Sequence, residues 1–177
     1  MDNPEPYVHY EDPFTTPANR RAPERRFRGR LAAPVTLWTT GDSGAPAGLT
    51  VSSLIVAEGA PSLLLGLVTD TTDFFETLET KRAFVAHVLE DGDRVLADRF
   101  AGLRPSPGGL FRELETLDSR WGPVLKDATS RAYCRVKEIL PAGYQRLVMG
   151  EIERLDLDEL DDPLVYFRGR YRRLQGR

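Results

Sequence analysis

The chain has a single cysteine, Cys134, and two histidines, His9 and His87. A disulfide framework within the chain and a cysteine-rich metal centre are therefore excluded, and a zinc site built mainly from Cys and His is not expected. No stretch approaches the ~18 consecutive apolar residues of a membrane span, and the first residues are polar and proline-rich, unlike a secretory signal. A surplus of either charge is also missing: 24 basic against 27 acidic residues give a net charge of -3, no global reason to expect nucleic acid or an anionic membrane as partner. There is no P-loop, no Gly-x-Gly-x-x-Gly, no Gly-x-Ser-x-Gly and no metal-ligand spacing. These absences leave a soluble, cytoplasmic protein. Its 177 residues, 41% hydrophobic, are enough for one well-cored domain.

What is present begins with an arm. Met1 to Arg30 holds five prolines and six arginines from Arg20 to Arg30, with no hydrophobic period. It reads as an extended basic segment, solvated or lying against a partner subunit, because aromatic interleaving for nucleic acid is nearly absent. From residue 31 the pattern turns to strands. Pro34-Val-Thr-Leu-Trp-Thr-Thr40, the turn cluster Gly41 to Gly44 and Ala47 to Leu54 read as a hairpin. Leu63 to Val68 reads as a short buried strand and Phe84 to Leu89 as another. Asp73 and Glu76 stand at capping-box spacing for a helix carrying Phe74, Phe75 and Leu78 on its apolar face. A second helix is expected over Asp91 to Ala101, and a proline- and glycine-rich excursion over Arg104 to Pro123 is expected to carry a short helix near Leu110 to Leu117 and to form a lid. Arg131 to Leu140, with Ala132, Cys134 and Val136 on one face, Tyr144 to Leu157 and Leu164 to Phe167 complete the strands, and a basic tail follows. Six or seven strands with two or three short helices imply a mainly β, closed or partly closed antiparallel barrel.

Within this frame Ala47 to Leu54 is the candidate site. Leu49, Val51 and Ser53 face one way on an extended strand, and Thr50, Ser52 and Leu54 the other. Small hydroxyls in a row can hydrogen-bond a flat polar ligand without crowding it; an ordinary polar sheet surface is the alternative. Thr69, Thr71 and Thr72 beside a helix start can hold a phosphate or simply cap the helix, and Asp73 and Glu76 weigh toward capping. His87 shares a face with Val85 and Leu89, which fits a packed core residue better than a ligand.

The ordered series resembles the flavin reductase-like family, an FMN-binding, six-stranded Greek-key split β-barrel with two or three short helices. Four stretches carry the likeness. They are Ala33 to Thr40 leading into Ala47 to Leu54; Phe84 to Leu89 with Leu96-Ala-Asp-Arg-Phe-Ala-Gly102; Cys134 to Gly143; and Leu147-Val-Met-Gly-Glu-Ile152 with Pro163-Leu-Val-Tyr-Phe-Arg-Gly-Arg-Tyr-Arg-Arg173. The resemblance implies a domain over residues 31–173 between the arm (1–30) and a short tail (174–177). It implies a homodimer that reduces FMN or FAD with NADH or NADPH and supplies reduced flavin to a monooxygenase, with no metal, no nucleic acid and no membrane. It places Thr50, Val51, Ser52, Ser53 and Leu54 against the flavin and Thr69, Thr71 and Thr72 near its phosphate. It also lets His87 line the cavity and puts Arg99 and Phe100 at the rim.

One position departs from the family. Where members commonly show Gly-Asp-His, this chain has Gly143-Tyr-Gln145, so the nicotinamide side is marked by Gln145 and no side chain is singled out as catalytic. Glutamine can donate a hydrogen bond but is no proton source near neutral pH. A flavin-binding module without NAD(P)H activity, as carrier or sensor, and a non-catalytic interaction domain therefore stay open as alternatives to an NAD(P)H:flavin oxidoreductase.

Overall fold

The computed structural model describes residues 22–128 and 130–174. A seven-stranded antiparallel sheet dominates it, in the order β3-β2-β6-β9-β10-β5-β4. Its strands are β2 (Thr36–Thr40), β3 (Ala47–Val51), β4 (Leu54–Ala57), β5 (Leu63–Val68), β6 (Ala83–Val88), β9 (Arg131–Ala142) and β10 (Gln145–Asp156). The outermost strands β3 and β4 follow each other in sequence, so the two residues between them step from one edge of the sheet to the other. There the Leu67 N–H donates to the Ser53 carbonyl at 2.9 Å, and the Ser53 hydroxyl donates to the Leu67 carbonyl at 3.0 Å. The sheet thus curls into a split barrel. The curled sheet has seven strands where six are expected.

Small residues and bulges allow the curl. β9 and β10 slip register twice, leaving Lys137 and Glu153 as extra residues that bend the long hairpin. Inside, Trp38 stacks on Phe84 with ring centroids 4.4 Å apart and planes 14° from parallel. Gly66 lies against the indole and Gly150 against Phe84, where an added Cβ would come within 2.5 and 2.6 Å of the rings. Helix α2 (Asp73–Lys81) turns Phe74, Phe75 and Leu78 into the same core. Its cap is Thr72, one residue before the expected capping box: the Phe75 N–H donates to the Thr72 hydroxyl at 3.2 Å. Cys134 and Val136 are buried in this core with Ala132 packed on it, as their alternation predicts.

A second core covers the outer face of β2. It joins Val35, Leu37 and Leu89 to Ala97 and Phe100 of helix α3 (Arg94–Phe100), which follows a 3-10 turn at Asp91–Asp93. Leu110, Phe111 and Leu114 pack here from the long excursion. No helix forms there; Glu113 takes φ +72°, and two short strands, β7 (Thr116–Leu117) and β8 (Val124–Leu125), pair instead. The apolar spacing that predicts a helix reports a buried side of successive turns.

The ends of the domain meet in a small sheet, β1-β11-β12, from β1 (Ala33–Pro34), β11 (Val165–Phe167) and β12 (Arg170–Arg172). The expected basic tail is therefore half of a hairpin. Its loop is Arg168–Gly169, with φ of +50° and +81°, as a two-residue turn matched to strand twist requires. Of the expected extended arm, residues 1–21 lie outside the described residues. The next stretch is not extended: Pro23–Arg28 form helix α1, whose end is tied to the new turn by the Arg168 N–H donating to the Gly29 carbonyl at 3.2 Å. Among the described residues no helix is long and apolar enough to cross a membrane.

Candidate functional site

A cavity of about 410 Å³ opens where the barrel edge, α1 and the small sheet meet. That volume lies in the range of about 300–1,000 Å³ common for small-molecule sites. One wall is the end of β3 and the step after it: Leu49, Thr50, Val51, Ser52 and Ser53. A second is the end of β5 with Thr69, and Gln145 starts β10 beside it. The third is Tyr166, Arg168 and Gly169 from the β11–β12 hairpin with Arg25, Arg28, Gly29, Leu31 and Ala33.

Five of the residues expected around a ligand, Thr50, Val51, Ser52, Ser53 and Thr69, therefore line one cavity, and Gln145 joins them from a strand far away in sequence. Their chemistry is partly engaged. The Thr50 hydroxyl donates to the Ala97 carbonyl at 2.7 Å, and the Ser53 hydroxyl to Leu67. A hydroxyl that donates keeps lone pairs to accept, so the exposed Ser53 hydroxyl can still receive an N–H from a ligand edge, whereas that of Thr50 is turned toward buried Ala97. Ser52 is half-buried in the same wall. Leu49, Leu67 and Tyr166, each half-buried, supply apolar surface for the faces of a flat ring system, backed by the buried Val51 and Val68.

The other expected residues are elsewhere. Leu54 packs on the barrel core. Thr71 is exposed outside the cavity lining, and Thr72 is occupied in the cap, its hydroxyl also donating to the Thr69 carbonyl at 2.9 Å. Phe100 is buried behind β3, against Gly48 and edge-on to Phe111 at 5.1 Å. Arg99 donates to the Arg112 carbonyl at 3.3 Å and faces Glu113 at 3.9 Å across a separate acidic groove. Both belong to α3, which braces β3 from behind through Thr50. The excursion over 104–123 lines that groove and the second core, and contributes nothing to the cavity.

His87 is fully buried and remote from the cavity lining. Its Nε2 accepts from the Leu125 N–H at 3.2 Å, so Nδ1 carries the proton and donates to the Leu37 carbonyl at 3.0 Å. Burial pushes its pKa down to about 4; the bond to Leu37 opposes this and the nearby Arg131 adds to it. It is a neutral cross-link between β2, β6 and β8.

What the sequence pattern misses is the third wall. Arg168–Gly169 between the β-formers of residues 164–167 and Tyr171 is a hairpin signal, masked by the surrounding arginines. α1 has no buried residue and hence no period to detect.

The family model described as "Flavin reductase like domain" matches residues 28–175. The reductase component of a 4-hydroxyphenylacetate 3-monooxygenase from Thermus thermophilus is 31% identical over 145 residues, 82% of this chain and 91% of that protein. An FMN reductase (NADH), RutF 2, from Rhizobium rhizogenes is 28% identical across 88% of this chain and 90% of its own. Among solved structures, the flavin reductase PheA2 in its native state superposes with a TM-score of 0.77 at 28% identity, covering 88% of this chain and all of that one.

Proposed function

The chain belongs to the flavin reductase like domain family, and from that premise we propose that it is a flavin reductase that oxidises NADH and supplies reduced flavin to a partner oxygenase. The observation that carries this is the cavity: its apolar walls and hydroxyl-bearing strand fit the faces and the polar edge of an isoalloxazine ring. A bound flavin would supply the hydride-accepting chemistry, and the protein's part is to hold and orient. Leu49, Leu67 and Tyr166 would pack on the ring, Ser52 and Ser53 would meet its polar edge, and Gln145 would direct a donor group from the nicotinamide side. No side chain is required as nucleophile or base.

The oxygenase partner is read across from the Thermus thermophilus relative, itself named as the reductase component of a monooxygenase. A homodimer and a cytoplasmic setting belong to the same proposal. Support for the dimer is an apolar outer sheet face. Ile55, Leu65 and Met149 lie in register across β4, β5 and β10, and Leu67, Leu147 and Leu140 form the next row. Ile55 is 67% exposed, and Leu67 links this face to the cavity wall. A second copy there would cover both. Sedimentation should give the mass of two chains, and Ile55→Asp should shift it to one; a monomeric wild-type protein rejects the dimer.

The function is tested by fluorescence titration with FMN and FAD, followed by NADH and NADPH oxidation with added flavin. Micromolar or tighter flavin binding and flavin-dependent NADH oxidation are expected. Ser52→Phe, which fills the cavity, should weaken flavin binding at least about tenfold without lowering the melting temperature. A protein that binds neither flavin defeats the proposal. Binding without NADH oxidation, restored in Gln145→His, would favour a flavin-binding module instead.

A further inference from the structure

We propose that the N-terminal helix α1 and the β11–β12 turn form an arginine wall that holds the phosphate or pyrophosphate group of a bound nucleotide. This rests on the cavity being a flavin site, and it assigns the anion to residues that the hydroxyl segment beside α2 leaves out. Arg25 and Arg28 enter from α1 and Arg168 from the turn, and all three line the cavity opposite the hydroxyl strand. The Arg168 N–H bond to the Gly29 carbonyl stitches the two elements together, so Arg28 and Arg168 flank one fixed backbone contact.

Charge makes the wall distinctive. The described cavity lining contains no Asp or Glu, in a chain with more acidic than basic residues. Several arginines elsewhere meet carboxylates, such as Arg94 with Asp91, Arg104 with Asp98, Arg146 with Asp70 and Arg173 with Asp162, while others outside the cavity, such as Arg82 and Arg170, form no ion pair among the described residues. Arg28 and Arg168 have no such ion pair among the described residues. The exposed Arg28 and Arg168, beside an apolar cavity whose described lining holds no carboxylate, suit a phosphate, which guanidinium groups bind through paired, charge-assisted N–H donors. The α2 start offers less. Thr71 is outside the lining, Thr72 is spent on the cap, and Asp73 and Glu76 put negative charge where a phosphate would sit.

The anion has two sources, the flavin phosphate and the pyrophosphate of the hydride donor, and the test separates them. Arg28→Gln and Arg168→Asn remove the guanidinium groups while sparing the fold, since Asn tolerates the positive φ of position 168 and keeps the stitching N–H. FMN and riboflavin differ in the phosphate alone. If the wall holds the flavin phosphate, each variant should weaken FMN binding about tenfold and the double variant about a hundredfold, with riboflavin affinity unchanged. If it holds the donor, both flavins should bind as in wild type while the KM for NADH and the dissociation constant of ADP-ribose rise about tenfold or more. Either pattern supports the wall. Unchanged FMN, NADH and ADP-ribose parameters, or equal losses for FMN and riboflavin, would overturn it. Wild-type protein that binds riboflavin keeps the flavin site standing whatever the variants show.

Discussion

Gly66→Val is expected to destabilise the protein by about 3 kcal/mol, the upper end of the usual cost of overpacking a core. The reason lies in a four-member stack across the barrel: Gly66, Trp38, Phe84 and Gly150. A Cβ at position 66 would stand 2.5 Å from the Trp38 ring, and the indole has nowhere to retreat because Phe84 stacks on its other face. Phe84 is itself held by Gly150, and all the ring surfaces are buried. Against a total stability of about 5–15 kcal/mol for an ordinary domain, this is a large fraction. The cost is a pairwise clash, so it should be coupled. In a Trp38→Leu background, already weakened by the lost aromatic volume, Gly66→Val should cost less than about 1 kcal/mol, a coupling near 2 kcal/mol. Urea unfolding of the four proteins measures this directly. A penalty that is the same with and without the indole would mean that backbone effects at position 66, not the stack, control the site.

The second large effect is a pH dependence placed in one histidine. His87 has a folded pKa of about 4 against 6.5 for the free side chain, chiefly because burial disfavours the imidazolium. Between those values the unfolded chain binds a proton that the folded chain refuses. Stability from this group is complete above about pH 6.5, falls as pH drops toward 4, and is lost below that. At about 1.4 kcal/mol per pH unit the full loss is about 3 kcal/mol. His87→Gln breaks the paired bonds to Leu37 and Leu125 and should be less stable at pH 7.5 by about 2 kcal/mol. The deficit should shrink as pH falls to 5, because the variant has no buried imidazole to protonate. Carboxylates titrate in both proteins and cancel in the difference. A deficit constant from pH 7.5 to 5 would show that His87 does not carry the linkage.

These two sites show what patterns in a chain convey. The alternation of Ala132, Cys134 and Val136 places them on the inner face because side-chain direction in a strand follows directly from sequence spacing. His87 was expected to pack on a core face, while the family resemblance also let it line the cavity; its hydrogen bonds come from β2 and β8, distant in sequence, so packing decided between them. Arg99 and Phe100 lie near the strand they were expected to serve, but on its far side. Phe100 supports β3 through Gly48 and never reaches the cavity. Leu110, Phe111 and Leu114 have helical spacing, and the positive φ at Glu113 turns the chain so that they share a core without sharing a helix.

By itself the sequence determined a mainly β barrel and the strand with Thr50, Ser52 and Ser53. Both follow from local preference and short-range alternation, which the backbone geometry of a strand converts into position; Gln145 was marked only by the resemblance to the family. Tertiary structure alone decided that the two edges of the sheet meet at Ser53. It also decided that Arg28 and Arg168 line the cavity from opposite ends of the domain. Those outcomes depend on tertiary contacts, Ser53 with Leu67 and Arg168 with Gly29, for which no spacing in the chain records which surfaces will touch.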